Sequence, residues 1–111
     1  MGRTQFGELE EQVILALLRL GGESYAVPVA RELATRTGRD VSPSTAYMVM
    51  RRLDEQGFLE SQMGPPEPVR GGRPRRFYAV VEKAVLPVLA ESRRARLALW
   101  EGLEAMLDEA K

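Results

Sequence analysis

The chain has 111 residues, 44% hydrophobic and 29% charged, with 16 basic and 16 acidic side chains and a formal net charge of zero. This is one domain's worth of an ordinary globular protein, rich in helix-forming Ala, Leu, Glu and Arg, and too short for a second full domain. The absence of cysteine and histidine excludes disulfides, thiolate chemistry, imidazole acid–base catalysis and the ordinary zinc and haem sites.

No apolar run approaches the roughly 20 residues that span a bilayer, and Met1-Gly2-Arg3-Thr4-Gln5 lacks the hydrophobic segment of a signal peptide. The expected location is therefore cytoplasmic, with no membrane partner. Zero net charge argues on its face against nucleic-acid binding, but the distribution argues for it. Arg70, Arg73, Arg75 and Arg76 crowd one Gly/Pro-rich stretch, while Glu101, Glu104, Asp108 and Glu109 gather near the C-terminus, giving a basic end and an acidic end.

From Glu8 to Leu20, Leu9, Val13, Ile14, Leu17 and Leu18 recur at helical spacing behind Glu8, Glu10 and Glu11, until Gly21-Gly22 stops the helix. Ser24 precedes a second helical segment carrying Val27, Val29, Ala30, Leu33 and Ala34. Pro28 stands early enough to cost little, and Gly38 ends the segment. Ser42-Pro43 then caps and starts a third helix, predicted from Pro43 to Gln56. Its apolar side is Ala46, Val49, Met50 and Leu53, which leaves Ser44, Thr45, Tyr47, Met48, Arg51 and Arg52 on or beside the other side.

Phe58 to Ser61 and Phe77 to Val80 are predicted as short strands, and the Gly/Pro-rich segment 64–74 between them as a long hairpin tip. A final helix is predicted from Glu82 to Glu109, with Leu86, Leu89, Leu97, Trp100, Leu103 and Leu107 as its apolar stripe. The fold class expected is mainly α with a small antiparallel β-hairpin. It comprises a winged helix-turn-helix over residues 1–81 and a long C-terminal dimerisation helix over residues 82–111.

Four segments carry a more specific resemblance: Ser24-Tyr25-Ala26-Val27-Pro28-Val29, Ser42-Pro43-Ser44-Thr45-Ala46-Tyr47, Arg52-Leu53-Asp54-Glu55-Gln56-Gly57, and Gly71-Gly72-Arg73-Pro74-Arg75-Arg76-Phe77-Tyr78. In order and spacing they resemble the motifs of PadR-family transcriptional regulators, and the likeness covers roughly residues 7 to 80. Ala26 and Ser44 stand where that family usually has glycine, and Val81-Glu82-Lys83-Ala84 replaces its common Thr-x-x-Gly before the last helix. The resemblance implies a regulator, usually a repressor, and in some members one that responds to phenolic or multidrug ligands.

In a helix-turn-helix the second helix of the pair enters the major groove with its N-terminal residues foremost. Ser42, Pro43, Ser44, Thr45, Tyr47 and Met48 are thus the candidates for bases or nearby phosphates, and Arg51 and Arg52 for phosphates or a guanine edge. The competing reading for Tyr47 is a ring packed in the core with only its hydroxyl exposed, and for the two arginines an ordinary solvated face. Arg70, Arg73, Arg75 and Arg76 in the wing repel one another without a counter-charge, which phosphates of an adjacent minor groove would supply; the alternative is a solvated loop.

The stripe of Leu89, Leu97, Trp100, Leu103 and Leu107 is the candidate homodimer interface, set against a helix that folds back on its own domain. A two-fold dimer would place two recognition helices about 34 Å apart on an inverted repeat of double-stranded DNA. Trp100 packs at that interface or stacks on a planar small-molecule effector. No cofactor and no metal is expected. Two rivals remain: a winged-helix protein-interaction module that never touches DNA, and an enzyme. The second lacks support, because Glu10-Glu11, Asp54-Glu55 and Asp108-Glu109 sit at predicted helix surfaces instead of converging in a pocket.

Overall fold

Helix formation follows the expected caps and faces. In the computed structural model, which describes residues 5–64 and 75–110, α1 runs Glu8–Arg19 and α2 Ala26–Thr37, followed by α3 at Pro43–Glu55. The Glu10 carboxylate reaches back to accept the Gly7 N–H at 2.8 Å, which satisfies one of the orphan donors at the start of α1. Ser42 does the same for α3, its Oγ accepting from the Thr45 N–H at 3.1 Å, with Pro43 in the first turn.

The three helices bury one stripe each. Val13, Ile14, Ala16 and Leu17 of α1 meet Val29, Ala30 and Leu33 of α2 and Ala46, Val49, Met50 and Leu53 of α3 in one core. Each set follows the i, i+3, i+4 spacing that lines up a helix face. Of the residues expected on the second helix's apolar face, Val27 and Ala34 are exposed.

Gly57, at φ +87°, reverses the chain after α3, and the Phe58 N–H then donates to the Leu53 carbonyl at 2.9 Å. The chain continues into β2 (Leu59–Met63), which pairs antiparallel with β3 (Arg76–Val80), Ser61 opposite Tyr78 and Met63 opposite Arg76. β2 is shifted by one to two residues from the expected 58–61, whereas β3 ends where expected and begins one residue before 77. A two-residue strand, β1 (Glu23–Ser24), pairs with the other edge of β3, so the sheet has three strands in the order β1-β3-β2. Ser24 therefore stands in the sheet, buried, and Tyr25 occupies the cap position of α2 without a side-chain bond.

The last helix is not the single rod expected from Glu82 to Glu109. It divides into α4 (Glu82–Trp100) and α5 (Glu104–Glu109). Glu101 is extended at ψ 123° and Gly102 adopts φ +85°, a left-handed conformation that ends an α-helix. The freed Gly102 N–H donates to the Glu104 carboxylate at 3.1 Å. Only the base of α4 docks on the core, through buried Val85 and partly buried Ala84, Val88 and Leu89. Beyond it, Glu11 of α1 accepts bonds from Ser92 at 3.4 Å and Arg96 at 3.3 Å, which fixes the direction in which α4 leaves the domain.

Candidate nucleic-acid interface

Burial of Ala46, Val49, Met50 and Leu53 forces the opposite side of α3 outward. Ser42, Pro43, Ser44, Thr45, Tyr47, Met48, Arg51 and Arg52 are all exposed, so every candidate on the third helix lies on one accessible face. Their surroundings differ. The Ser42 hydroxyl is engaged in capping and also donates to Thr45 Oγ1 at 3.0 Å, whereas Ser44 and Met48 stand further along the outward face. Arg51 pairs loosely with Glu55, Nε to Oε2 at 3.6 Å, on the exposed side one turn below.

Tyr47 combines both readings open to it. Its ring meets Tyr78 edge-on at 6.2 Å, yet the residue remains 36% exposed. Tyr78 is buried, and its phenol is pushed up to about 12, first by desolvation and then by the charge and hydrogen bond of Tyr47. The protonated phenol is therefore the form that the fold stabilises. Because the folded pKa lies above the unfolded one, this stability is complete below about pH 10 and lost as pH climbs towards 12. The expected loss is about 2–3 kcal/mol, read as the fall in urea midpoint between those pH values. Tyr78→Phe should show little of it; an unchanged slope in that variant would assign the alkaline transition to another group.

Across from α3, the candidates Arg75 and Arg76 stand at the base of the wing, each held by a side chain that was not a candidate. Ser61 Oγ donates to Asp54 Oδ2 at 2.7 Å and accepts from Arg76 Nη1 at 3.1 Å, joining the end of α3 to both strands. On the outer side of the sheet, Tyr25 meets Phe77 edge-on at 5.3 Å and carries the Arg75 guanidinium 4.7 Å above its ring. Gly64 lies under Phe77, where a Cβ would come within 2.6 Å of the ring. Ser61 was legible in one respect: it shares the strand face of buried Leu59, and a polar group turned inward needs a partner. Arg70 and Arg73, and with them the expected hairpin tip, fall outside the described residues.

Tyr47, Arg51, Asp54, Glu55, Arg76 and Tyr78 together line a polar cleft of about 410 Å³ between α3 and β3. A smaller hollow of about 90 Å³, lined by α1 and α2 alone, is apolar and falls short of the roughly 150 Å³ that accommodates benzene. Of the proposed dimer stripe, Leu89 is partly packed against its own core, while Leu97, Trp100, Leu103 and Leu107 are exposed. Among the described residues no group of acidic side chains could hold a metal ion, and no helix is long and apolar enough to cross a membrane.

Residues 14–83 match the model of the transcriptional regulator PadR-like family. A PadR-family transcriptional regulator from Eggerthella lenta DSM 2243 superposes with a TM-score of 0.65 at 30% identity, over 90% of this chain and 86% of that one. One from Clostridium difficile R20291 gives 0.63 at 14% identity, over 93% and 97%. F93 from STIV, a winged-helix DNA-binding protein, gives 0.56 at 16%, over 83% and 92%. The last two likenesses bear on the fold alone. No curated protein sequence matches the chain.

Proposed function

The chain belongs to the PadR-like family of transcriptional regulators, and from that premise we propose that it is a homodimeric, cytoplasmic repressor that binds an inverted-repeat operator. Family membership makes it a DNA-binding regulator and not an enzyme. The observation that carries the finer reading is the outward face of α3, where Ser44, Thr45, Tyr47, Met48, Arg51 and Arg52 are exposed together opposite a fully buried stripe. Such a face suits the major groove, hydroxyls and guanidiniums supplying donors for base edges and phosphates.

Residues 1–81 serve as the DNA-binding part in this reading and residues 82–111 as the dimerisation part. Arg70, Arg73, Arg75 and Arg76 follow the backbone beside the adjacent minor groove. Repression is the usual mode in the family. A planar effector would stack on Trp100 and alter the spacing of the two recognition helices.

The test is binding of the purified protein to a fluorescent fragment of its own promoter region, titrated between about 50 and 200 mM salt, where engagement of several phosphates makes affinity fall steeply. Arg73→Ala with Arg75→Ala should weaken binding and flatten the salt slope by about 0.9 for each phosphate no longer neutralised. If the wild type binds neither that fragment nor random DNA, the outward face is a protein-docking surface instead.

A further inference from the structure

The cleft between α3 and β3 is electrically balanced. It holds two guanidiniums, Arg51 and Arg76, and two carboxylates, Asp54 and Glu55. The two carboxylates are not equivalent. Asp54 accepts a short bond from Ser61, which in turn receives Arg76, so its role is to orient Arg76 towards the cleft. Glu55 only faces Arg51, at 3.6 Å and with both side chains mostly in solvent. That distance exceeds the roughly 2.7–2.9 Å of a charge-assisted hydrogen bond, and exposed pairs of this kind are among the weakest interactions in a protein.

We propose that this cleft seats one phosphate of the DNA backbone, held by Arg51, Arg76 and the Tyr47 hydroxyl, and that Glu55 is a built-in competitor for Arg51. This rests on the DNA-binding reading above and adds a residue that acts against binding. A phosphate brings several acceptor oxygens to donors on two different elements at once, so it displaces the single loose carboxylate. Glu55 is then left beside the phosphate, one like charge facing another. The cost is sequence-independent and tempers the electrostatic attraction that would otherwise hold the protein on any duplex.

The experiment is a double-mutant cycle by fluorescence anisotropy on a mixed-sequence duplex of about 30 base pairs at about 50 mM salt. Glu55→Gln should tighten binding about three- to tenfold, and Glu101→Gln, the same charge change at the far end of the chain, by less than about twofold. Arg51→Gln should weaken binding and lower the salt slope by about 0.9, one phosphate fewer. In the Arg51→Gln background the gain from Glu55→Gln should shrink to less than about twofold. No gain from Glu55→Gln, or an equal gain in both backgrounds, overturns the competitor while leaving DNA binding intact. A wild type that binds no duplex overturns the DNA-binding reading itself, and the phosphate seat with it.

Discussion

Leu53→Ala is expected to destabilise the fold by about 2–5 kcal/mol, seen as a lower urea midpoint with an unchanged slope at fixed protein concentration. Leu53 has no exposed surface and sits where three elements meet, in the last turn of α3 and close to the start of β2. Its carbonyl also receives the Phe58 N–H that closes the turn into the sheet. Removing three side-chain carbons there forfeits burial and leaves a cavity that α1, α2 and the sheet cannot all close at once. Small domains hold only about 5–15 kcal/mol in total, so a visible unfolded fraction is expected on warming. A loss under about 1 kcal/mol would mean that α3 is not seated on the core by this stripe, and that its outward face is not fixed either.

That stripe was legible in the sequence because everything defining it is local. Ser42 and Pro43 mark the start, Ala46, Val49, Met50 and Leu53 repeat at helical spacing, and Gly57 marks the stop. The outward face followed by subtraction. Strand β1 was not legible because two residues carry no periodicity; Glu23 and Ser24 are a strand only because Ala79 and Tyr78 lie beside them. The division of the last helix at Gly102 was hidden for the opposite reason. The apolar spacing of Leu97, Trp100, Leu103 and Leu107 runs through the glycine as though the helix did, and spacing does not reveal that Gly102 takes φ +85°.

The Asp54–Ser61–Arg76 chain was illegible for a third reason, since it depends on register. Ser61 lies opposite Tyr78 and Met63 opposite Arg76 only for one alignment of β2 on β3, and a one-residue slip would turn Ser61 to the other side of the sheet. The balanced cleft is a consequence of that alignment. A net charge of zero is compatible with the proposed DNA-binding face, because the charges are separated along the chain. The acidic residues Glu104, Asp108 and Glu109 lie on α5, while Arg51, Arg52, Arg75 and Arg76 belong to α3 and the wing base. Steering and phosphate binding respond to the local field, not to the sum.

Leu97→Glu with Leu103→Glu is expected to turn the protein into a monomer in sedimentation and to lower affinity for the promoter fragment by about 10²–10⁴-fold. Half or more of each of Leu97, Leu99, Met106 and Leu107 is exposed in the protomer, and Trp100 and Leu103 are little better covered. A run of exposed apolar side chains on one short stretch of α4 and α5 is the kind of surface that a partner subunit covers. Leu89 is spared in this variant because it packs against its own core. The protomer fold should therefore survive two charges placed beyond Arg96. Without the partner, binding to the second half-site becomes a separate event, which removes the effective-concentration gain without touching α3 or the wing. Trp100, the only tryptophan, reports the same event through a red shift of its emission as it passes from interface to water. A variant that still sediments as a dimer would move the interface elsewhere. A variant that becomes monomeric yet binds the fragment as before would show that one recognition helix suffices, and the inverted repeat would lose its support.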